Sequence, residues 1–263
     1  MTALELDRVT VTVGRRTLLD DISLRIDSGD TVALIGPNGS GKTTLLRSVL
    51  GLQKLSRGAV RFDGRLLESL SAKERANAVA FLAQHSNAEE AISVLEYVAA
   101  GRYRFDEARS VSEAAARAAL TRVGAEELAH QLIPTLSGGE RQRISLAALL
   151  AQSAQIQLLD EPANHLDPAR QARSYALLGE MQQDLCTMVI VTHDINLLGY
   201  LHWPERVRVI GLTEGKLAFD LRYGDETLVS ALSELYRVPM QCVKSAGHRF
   251  ILPELDAAKG AVR

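Results

Sequence analysis

Residues 36 to 44, Gly-Pro-Asn-Gly-Ser-Gly-Lys-Thr-Thr, follow directly on the apolar run Thr31-Val-Ala-Leu-Ile35 and complete the pattern G-x-x-x-x-G-K-[ST]. That order of strand, loop and helix constrains the chain more than any other stretch, because it builds a cradle for nucleotide phosphates. Gly36, Gly39 and Gly41, spaced by Pro37, Asn38 and Ser40, let the backbone turn tightly and aim several N–H groups at one anion. Lys42 adds a positive charge over the terminal phosphates, and the Thr43 hydroxyl is placed to ligate Mg²⁺. The following run, Thr44-Leu-Leu-Arg-Ser-Val-Leu50, has helical apolar spacing and points a partial positive charge at the same phosphates.

A second anchor is Ile156-Gln-Leu-Leu-Asp160-Glu161-Pro162, a strand with two adjacent carboxylates at its C-terminal end, where open parallel sheets place ligands. Coupled to the phosphate cradle, Asp160 is expected to hold Mg²⁺ and Glu161 to orient and polarise the attacking water. Gln157 interrupts the strand at the end remote from this chemistry, and a backbone partner is expected for it. The third anchor, Leu136-Ser-Gly-Gly-Glu140, opens a helical run with Ser137, Gly138 and Gly139 and so offers a second anion-binding N-terminus. An ordinary helix cap by Ser137 accounts for the same residues when they are taken alone. Two phosphate-reading elements on different parts of one chain suggest that two copies meet, each supplying half of a composite site.

Around these anchors the chain reads as α/β. Residues 3 to 35 alternate apolar and polar positions (Leu4, Leu6, Val9, Val11, Val13, then Leu18, Ile22, Leu24, Ile26), which is strand periodicity, mostly antiparallel by its short connections. Another short strand is expected over 58–64, ended by Asp63-Gly64. From Ala88 to about Leu132 the composition turns helical, with Ser110 and Glu113 expected as a capping box and Pro134 closing the block. Ile156–Leu159 and Met188–Val191 have the compact apolar character of buried parallel strands, with helices near 140–153 and 168–184. The expectation is a P-loop core of mostly parallel sheet and flanking helices, with an N-terminal antiparallel β subdomain and a helical subdomain.

Composition narrows the function. With 30 basic and 32 acidic residues the formal net charge is −2, so there is no basic field of the kind that favours nucleic acid. Cys186 and Cys242 match no metal-ligand spacing and are expected as reduced thiols, Cys186 as a buried structural one. The acidic start Met1-Thr-Ala-Leu-Glu-Leu-Asp and the absence of a long apolar run predict neither an export signal nor a membrane span.

Taken in order, these motifs resemble the ATP-binding cassette (ABC) ATPases along nearly the whole chain. The P-loop at 36–44 is followed by Ala80-Phe-Leu-Ala-Gln84, the signature at 136–140, Asp160-Glu161, Ala163-Asn-His-Leu-Asp167 and Val191-Thr-His193-Asp194. The resemblance implies that His193 contacts the ATP γ-phosphate, that Gln84 senses Mg²⁺ and water and links the site to a partner, and that Asp167 couples two sites across a dimer. Lys42, Glu161, His193 and Gln84 would then be the catalytic set, with Mg²⁺ on Thr43, Gln84 and Asp160. The five remaining histidines are read as ordinary core or capping residues. Two departures stand out. Family members usually carry an aromatic near Val13 that stacks on adenine, and Val13 offers only apolar contact. Glu140 closes the signature where Gln is more usual, adding a negative charge at a helix N-terminus.

The resemblance further implies a head-to-tail dimer with two ATP molecules between the P-loop of one subunit and the signature of the other. Residues 1–240 are expected as the ATPase domain, with a helical subdomain over about 88–150, and 241–263 as a short C-terminal tail. Val94-Leu-Glu-Tyr-Val-Ala-Ala-Gly-Arg102, Asn164-His-Leu-Asp167 and Leu232-Ser-Glu-Leu-Tyr-Arg-Val-Pro239 look like the subgroup that imports iron-siderophores, haem and cobalamin. Such a subunit would sit at the cytoplasmic face of the inner membrane on separate permease subunits, served indirectly by a substrate-binding protein. The alternatives are an importer of another substrate, such as zinc, manganese or molybdate, or a soluble ABC ATPase of the iron-sulfur assembly type.

Overall fold

The computed structural model describes residues 1–83, 91–164, 166–245 and 247–254. β1 (Thr2–Val13) pairs antiparallel with β2 (Arg16–Asp27) across a turn at Gly14-Arg15. The apolar alternation changes phase in both strands, from Leu6 to Val9 and from Leu19 to Ile22. Arg8 (φ 46°) and Asp21 (φ 56°) take the left-handed conformation at these shifts. Each bulge skips one residue and keeps the apolar side chains on one face. Each is also held by a hydroxyl of the opposite strand: Arg8 N–H donates to Ser23 Oγ at 3.1 Å and Asp21 N–H to Thr10 Oγ1 at 3.2 Å.

β3 (Thr31–Ile35) leads into α1 (Lys42–Val49), followed by β4 (Arg57–Phe62) and the two-residue β5 (Arg65–Leu66). β4 pairs with the free side of β1, completing a sheet of order β2-β1-β4-β5. α1 turns Leu45, Leu46 and Val49 into a core shared with Leu4, Leu6, Leu24 and Ile26 of this sheet and with Val32, Leu34, Val189 and Ile210. Burying such side chains contributes about 1.5–3 kcal/mol each, so the helix that begins at the phosphate cradle is clamped between two layers.

Next come α2 (Ala72–Ala78), β6 (Val79–Leu82), α3 (Val94–Ala100), α4 (Arg109–Arg122), α5 (Gly138–Ala151), β7 (Ile156–Asp160), α6 (Pro168–Gln183) and β8 (Thr187–Val191). The chain continues through β9 (Arg208–Thr213), β10 (Lys216–Arg222), α7 (Leu228–Tyr236), β11 (Met240–Ser245) and β12 (His248–Pro253). The central sheet has the order β10-β9-β3-β8-β7-β6. It is parallel from β9 to β6, with β10 antiparallel on one edge. β3, β7 and β8 are buried at every residue, as strands covered on both faces must be. Gln157 donates to the Ala154 carbonyl at 3.0 Å, the backbone partner expected for it. The parallel arrangement brings the C-terminal ends of β3, β8 and β7 side by side.

The expected capping box at Ser110 and Glu113 does not form. α4 starts at Arg109, directly after Ala108, whose extended backbone makes it the N-cap, so Ser110 already lies inside the first turn. Glu113 instead accepts from Arg109 Nε at 2.7 Å, one turn away. Capping boxes do close α2, α3 and α5, through Ser71 with Glu74, Ser93 with Glu96 and Ser137 with Glu140. Cys186 is half-buried, Cys242 is exposed, and both are free thiols.

The connection from α3 to α4 is braced by Arg102, which meets Glu107 through two contacts, 2.6 and 2.8 Å, and donates to the Ala151 carbonyl at the end of α5. The Arg102 guanidinium and the Ser112 hydroxyl hold the Glu107 carboxyl down at about 2, against an ordinary 4.5. A depressed carboxyl stabilises the fold above its unfolded pKa and loses that contribution as pH falls through the folded one. Glu107→Gln is therefore expected to melt below wild type at pH 7. Thermal melts across a pH series should show the gap begin to narrow near 4.5 and close as pH falls through about 2. A gap of constant size would remove the brace from the account.

Candidate functional site

The phosphate cradle leaves the end of β3 at Gly36, where a Cβ would lie 2.0 Å from the Leu212 carbonyl oxygen of β9, so only glycine fits. Gly41, at φ 110°, turns the chain into α1, whose first turn carries no acidic residue and no side-chain cap. The amides and dipole at that helix end are thus left for an anion. The Ser40 hydroxyl is buried with no hydrogen-bond partner among the described residues, a further polar group at the same loop. Lys42, 7% exposed, folds back across the loop and donates to the Gly36 carbonyl at 2.7 Å and the Pro37 carbonyl at 3.1 Å. Burial lowers its pKa, while the charges of Glu161 and Asp160 pull the other way.

Those carboxylates come from the end of β7. Asp160 is 7% exposed, and burial, with the neighbouring Glu161 charge, raises its pKa despite Lys42, His193 and Arg47. Two adjacent carboxylates, one of them buried, favour an added cation. Among the described residues no three His, Cys, Asp or Glu converge as a metal cage. A hard ion held through one carboxylate, the Thr43 hydroxyl and nucleotide phosphates fits that oxygen-only donor set, as Mg²⁺ does.

Glu161 stands at φ 52°, left-handed and strained for a residue with a side chain. Its amide donates to the Val191 carbonyl at 3.0 Å, so the ends of β7 and β8 fix its place. One carboxylate oxygen lies 2.5 Å from His193 Nε2, and the other accepts from Asn164 Nδ2 at 2.6 Å. The structure thus brings Lys42, Asp160, Glu161 and His193 to one sheet edge. Asn164 was not read from sequence as an orienting group. Only its neighbourhood to Glu161 in the chain hinted at that.

The signature residues lie elsewhere. Ser137 N-caps α5, and the Glu140 carboxylate accepts from the Ser137 amide at 2.8 Å and hydroxyl at 2.6 Å, which holds its pKa below the ordinary value. Arg170 lies over Gly139, where a Cβ would come within 2.6 Å of the guanidinium, and also pairs with Asp167 at 3.1 Å. Asp167 itself caps α6 by accepting from Arg170 N–H at 3.0 Å. Arg170, unmarked by any motif, therefore ties the signature to the residue expected to couple two sites. The cleft at the P-loop is lined by residues 16–18, 37–40, 213–215 and 235–237. The groove at the signature is lined by Ser137, Gly139, Glu140, Arg143, Arg170 and neighbours on α4 and α6. The two share no residue. Val13 is 55% exposed at the tip of β1, past the buried alternation. Gln84, with His85 and His165, lies outside the described residues.

Comparison with known proteins agrees with this arrangement. The family model described as ABC transporter matches residues 19–164. The hemin import ATP-binding protein of Rhodopseudomonas palustris (strain BisA53) is 35% identical, over 96% of this chain and 94% of that protein. The ferric enterobactin transport ATP-binding protein of Escherichia coli (strain K12) is 38% identical, over 80% of this chain and 78% of that one. Among solved structures, a dimeric ATP-binding cassette in a post-hydrolysis state with ADP and phosphate superposes with a TM-score of 0.75 at 28% identity, covering 84% of this chain and 99% of its own.

Proposed function

Since the chain belongs to the ABC transporter family and is one of its ATP-hydrolysing cassettes, we propose that it powers import of an iron-siderophore, haem or cobalamin as a head-to-tail pair around two Mg-ATP. The observation that carries this reading is the separation of the two anion-binding elements. Residues 37–40 of the P-loop line one cleft and Ser137 and Gly139 another, so the γ-phosphate side of a bound nucleotide meets a signature only on a second copy. The names of the two relatives above, hemin import and ferric enterobactin transport, support the cargo class. Permease docking is supported by a groove of about 580 Å³ beside α3 and α4, lined by Ile92, Ala99, Tyr103 and Phe105, with Tyr103 75% exposed. No helix among the described residues is long and apolar enough to cross a membrane, which suits a peripheral subunit at the cytoplasmic face.

In this reading Lys42 leaves the Gly36 and Pro37 carbonyls to meet the terminal phosphates, while the P-loop amides and the end of α1 hold them. Thr43 and Asp160 would hold the Mg²⁺, which supplies charge neutralisation on the phosphate oxygens when bound. Glu161 accepts a proton from the attacking water as its oxygen bonds to the γ-phosphorus and the bond from that phosphorus to the β–γ bridging oxygen breaks, releasing ADP, and Asn164 keeps the Glu161 carboxylate aimed. His193, just past the end of β8, stabilises charge on the transferred group, its ring lying against the Glu161 carboxylate. Asp167 and Arg170 carry the state of one site to the other. Glu161→Gln, slow in hydrolysis, is expected to pass from monomer to dimer on addition of Mg-ATP in light scattering after gel filtration. A protein that binds ATP and stays monomeric at high micromolar concentration would overturn the paired site.

A further inference from the structure

Serine and threonine hydroxyls in turns and helices commonly bond back to a carbonyl three or four positions earlier in the chain. Several do so here: Ser48 Oγ donates to the Thr44 carbonyl at 2.9 Å, Ser233 Oγ to the Val229 carbonyl at 2.9 Å and Thr135 Oγ1 to the Leu132 carbonyl at 2.8 Å. Ser40, in the P-loop, departs from this habit. It is 3% exposed, and its hydroxyl has no hydrogen-bond partner among the described residues. A buried hydroxyl left in that state costs free energy that a bond to a nearby carbonyl would recover.

The carbonyls four and three positions before Ser40 are those of Gly36 and Pro37, and Lys42 Nζ already donates to both, at 2.7 and 3.1 Å. The Pro37 carbonyl also accepts from the Ser40 amide at 3.2 Å, so both of its lone pairs are taken. The Gly36 carbonyl is therefore the acceptor for which the lysine and the hydroxyl compete. Ser40 Oγ lies against that residue, 2.9 Å from where a Gly36 Cβ would stand. The Ser40 backbone is fixed at both its polar groups, by the Pro37 carbonyl at its N–H and by the Gly215 amide, 3.0 Å away, at its carbonyl. What is left to it is one side-chain torsion, with three staggered settings.

We infer that Ser40 is a positioning residue that takes the Gly36 carbonyl over from Lys42 when nucleotide binds, so that the loop exchanges one donor for another. The inference rests on the reading of this P-loop as the ATP site. In the free chain the lysine answers Gly36 and the hydroxyl goes unpaired. With phosphate present the ammonium turns to the phosphate oxygens, and Ser40 O–H donates to the Gly36 carbonyl. A group that is unsatisfied in one state and bonded in the other biases the equilibrium toward the second. Ser40 thus lowers the cost of moving Lys42 and holds the Gly36 peptide once it has moved.

The test compares Ser40→Ala, Lys42→Ala and the double variant on the full chain, by thermal melts without nucleotide and by ATP dissociation constants measured calorimetrically with EDTA present. Removing a hydroxyl that is unpaired in the free protein should raise the melt of S40A by about 2–4 °C. ATP affinity should fall about fivefold, the effect of one lost hydrogen bond. A serine that only packs would not stabilise the free chain and weaken the complex at once. In K42A the Gly36 carbonyl is already open to Ser40, so adding S40A there should lower the melt by a similar amount. One hydroxyl replaces only one of two lysine contacts, and K42A by itself still melts below wild type. Melt changes of the same sign in both backgrounds, or wild-type ATP affinity in S40A, overturn the inference. If the double variant does not fold, Ser40→Cys decides: it keeps the shape and weakens the donor, so it should bind ATP about as weakly as S40A, and wild-type affinity in S40C overturns the inference. Loss of ATP binding in K42A with none in S40A removes the exchange alone, while unchanged binding in K42A removes the underlying site assignment.

Discussion

Glu161→Gln is expected to lower ATP turnover by roughly 10²-fold or more while leaving nucleotide binding intact. The amide has the shape of the carboxylate, so it can still accept from Asn164 with its oxygen and face His193 with its NH₂. What is lost is the basic oxygen that takes the water's proton. Binding survives because the P-loop, Lys42 and Thr43 are untouched. Removing this negative charge also relieves Asp160, whose pKa is raised in part by Glu161. Phosphate release and titration calorimetry check the two halves separately, and turnover within about threefold of wild type would sink the assignment.

Lys42→Ala is expected to act on binding as well as chemistry. Loss of a charged donor to phosphate should weaken ATP affinity by about tenfold to a hundredfold, and loss of transition-state charge stabilisation should cut turnover by roughly 10³-fold. The free protein should also suffer, because Lys42 Nζ bridges the Gly36 and Pro37 carbonyls across a loop of three glycines. Leaving one such buried acceptor unpaired costs about 1–3 kcal/mol, so the unliganded variant should melt below wild type. Calorimetric titration, phosphate release and a thermal melt without nucleotide test these three effects, and near-wild-type ATP affinity would contradict the role given to Lys42.

The proposed catalytic edge was legible in the sequence because each part is local: a loop of fixed glycine spacing, and apolar strands that end in Asp160-Glu161 or lead to His193. Parallel pairing then does the assembly, since Asp160 lies opposite Val191 in the register of β7 and β8. Groups acting across the chain were not legible. Arg170 touches Gly139 only because α5 and α6 start side by side, and Tyr236 comes from far along the chain to line one cleft with Pro37 and Asn38. β6 is four residues long, too short for its apolar run to separate strand from helix. At the start of α4 a matching spacing misled, because Ser110 and Glu113 stand where a capping box could be read while Ala108 already has the extended backbone of a cap. The phase changes in β1 and β2 were visible as irregular spacing, but the paired bulges at Arg8 and Asp21 needed both strands in view.

The capping box on α5 has a consequence for how the pair opens. Glu140 already fills the positive end of that helix with a carboxylate of this chain. In the proposed dimer a phosphate from the partner's nucleotide arrives at an end that is already neutralised, so docking there exchanges one anion for another. An exchange changes free energy far less than filling an empty site, and it runs backward as readily as forward. A signature closed on its own glutamate is suited to letting go, so the grip on the nucleotide falls mainly to the P-loop and release to α5.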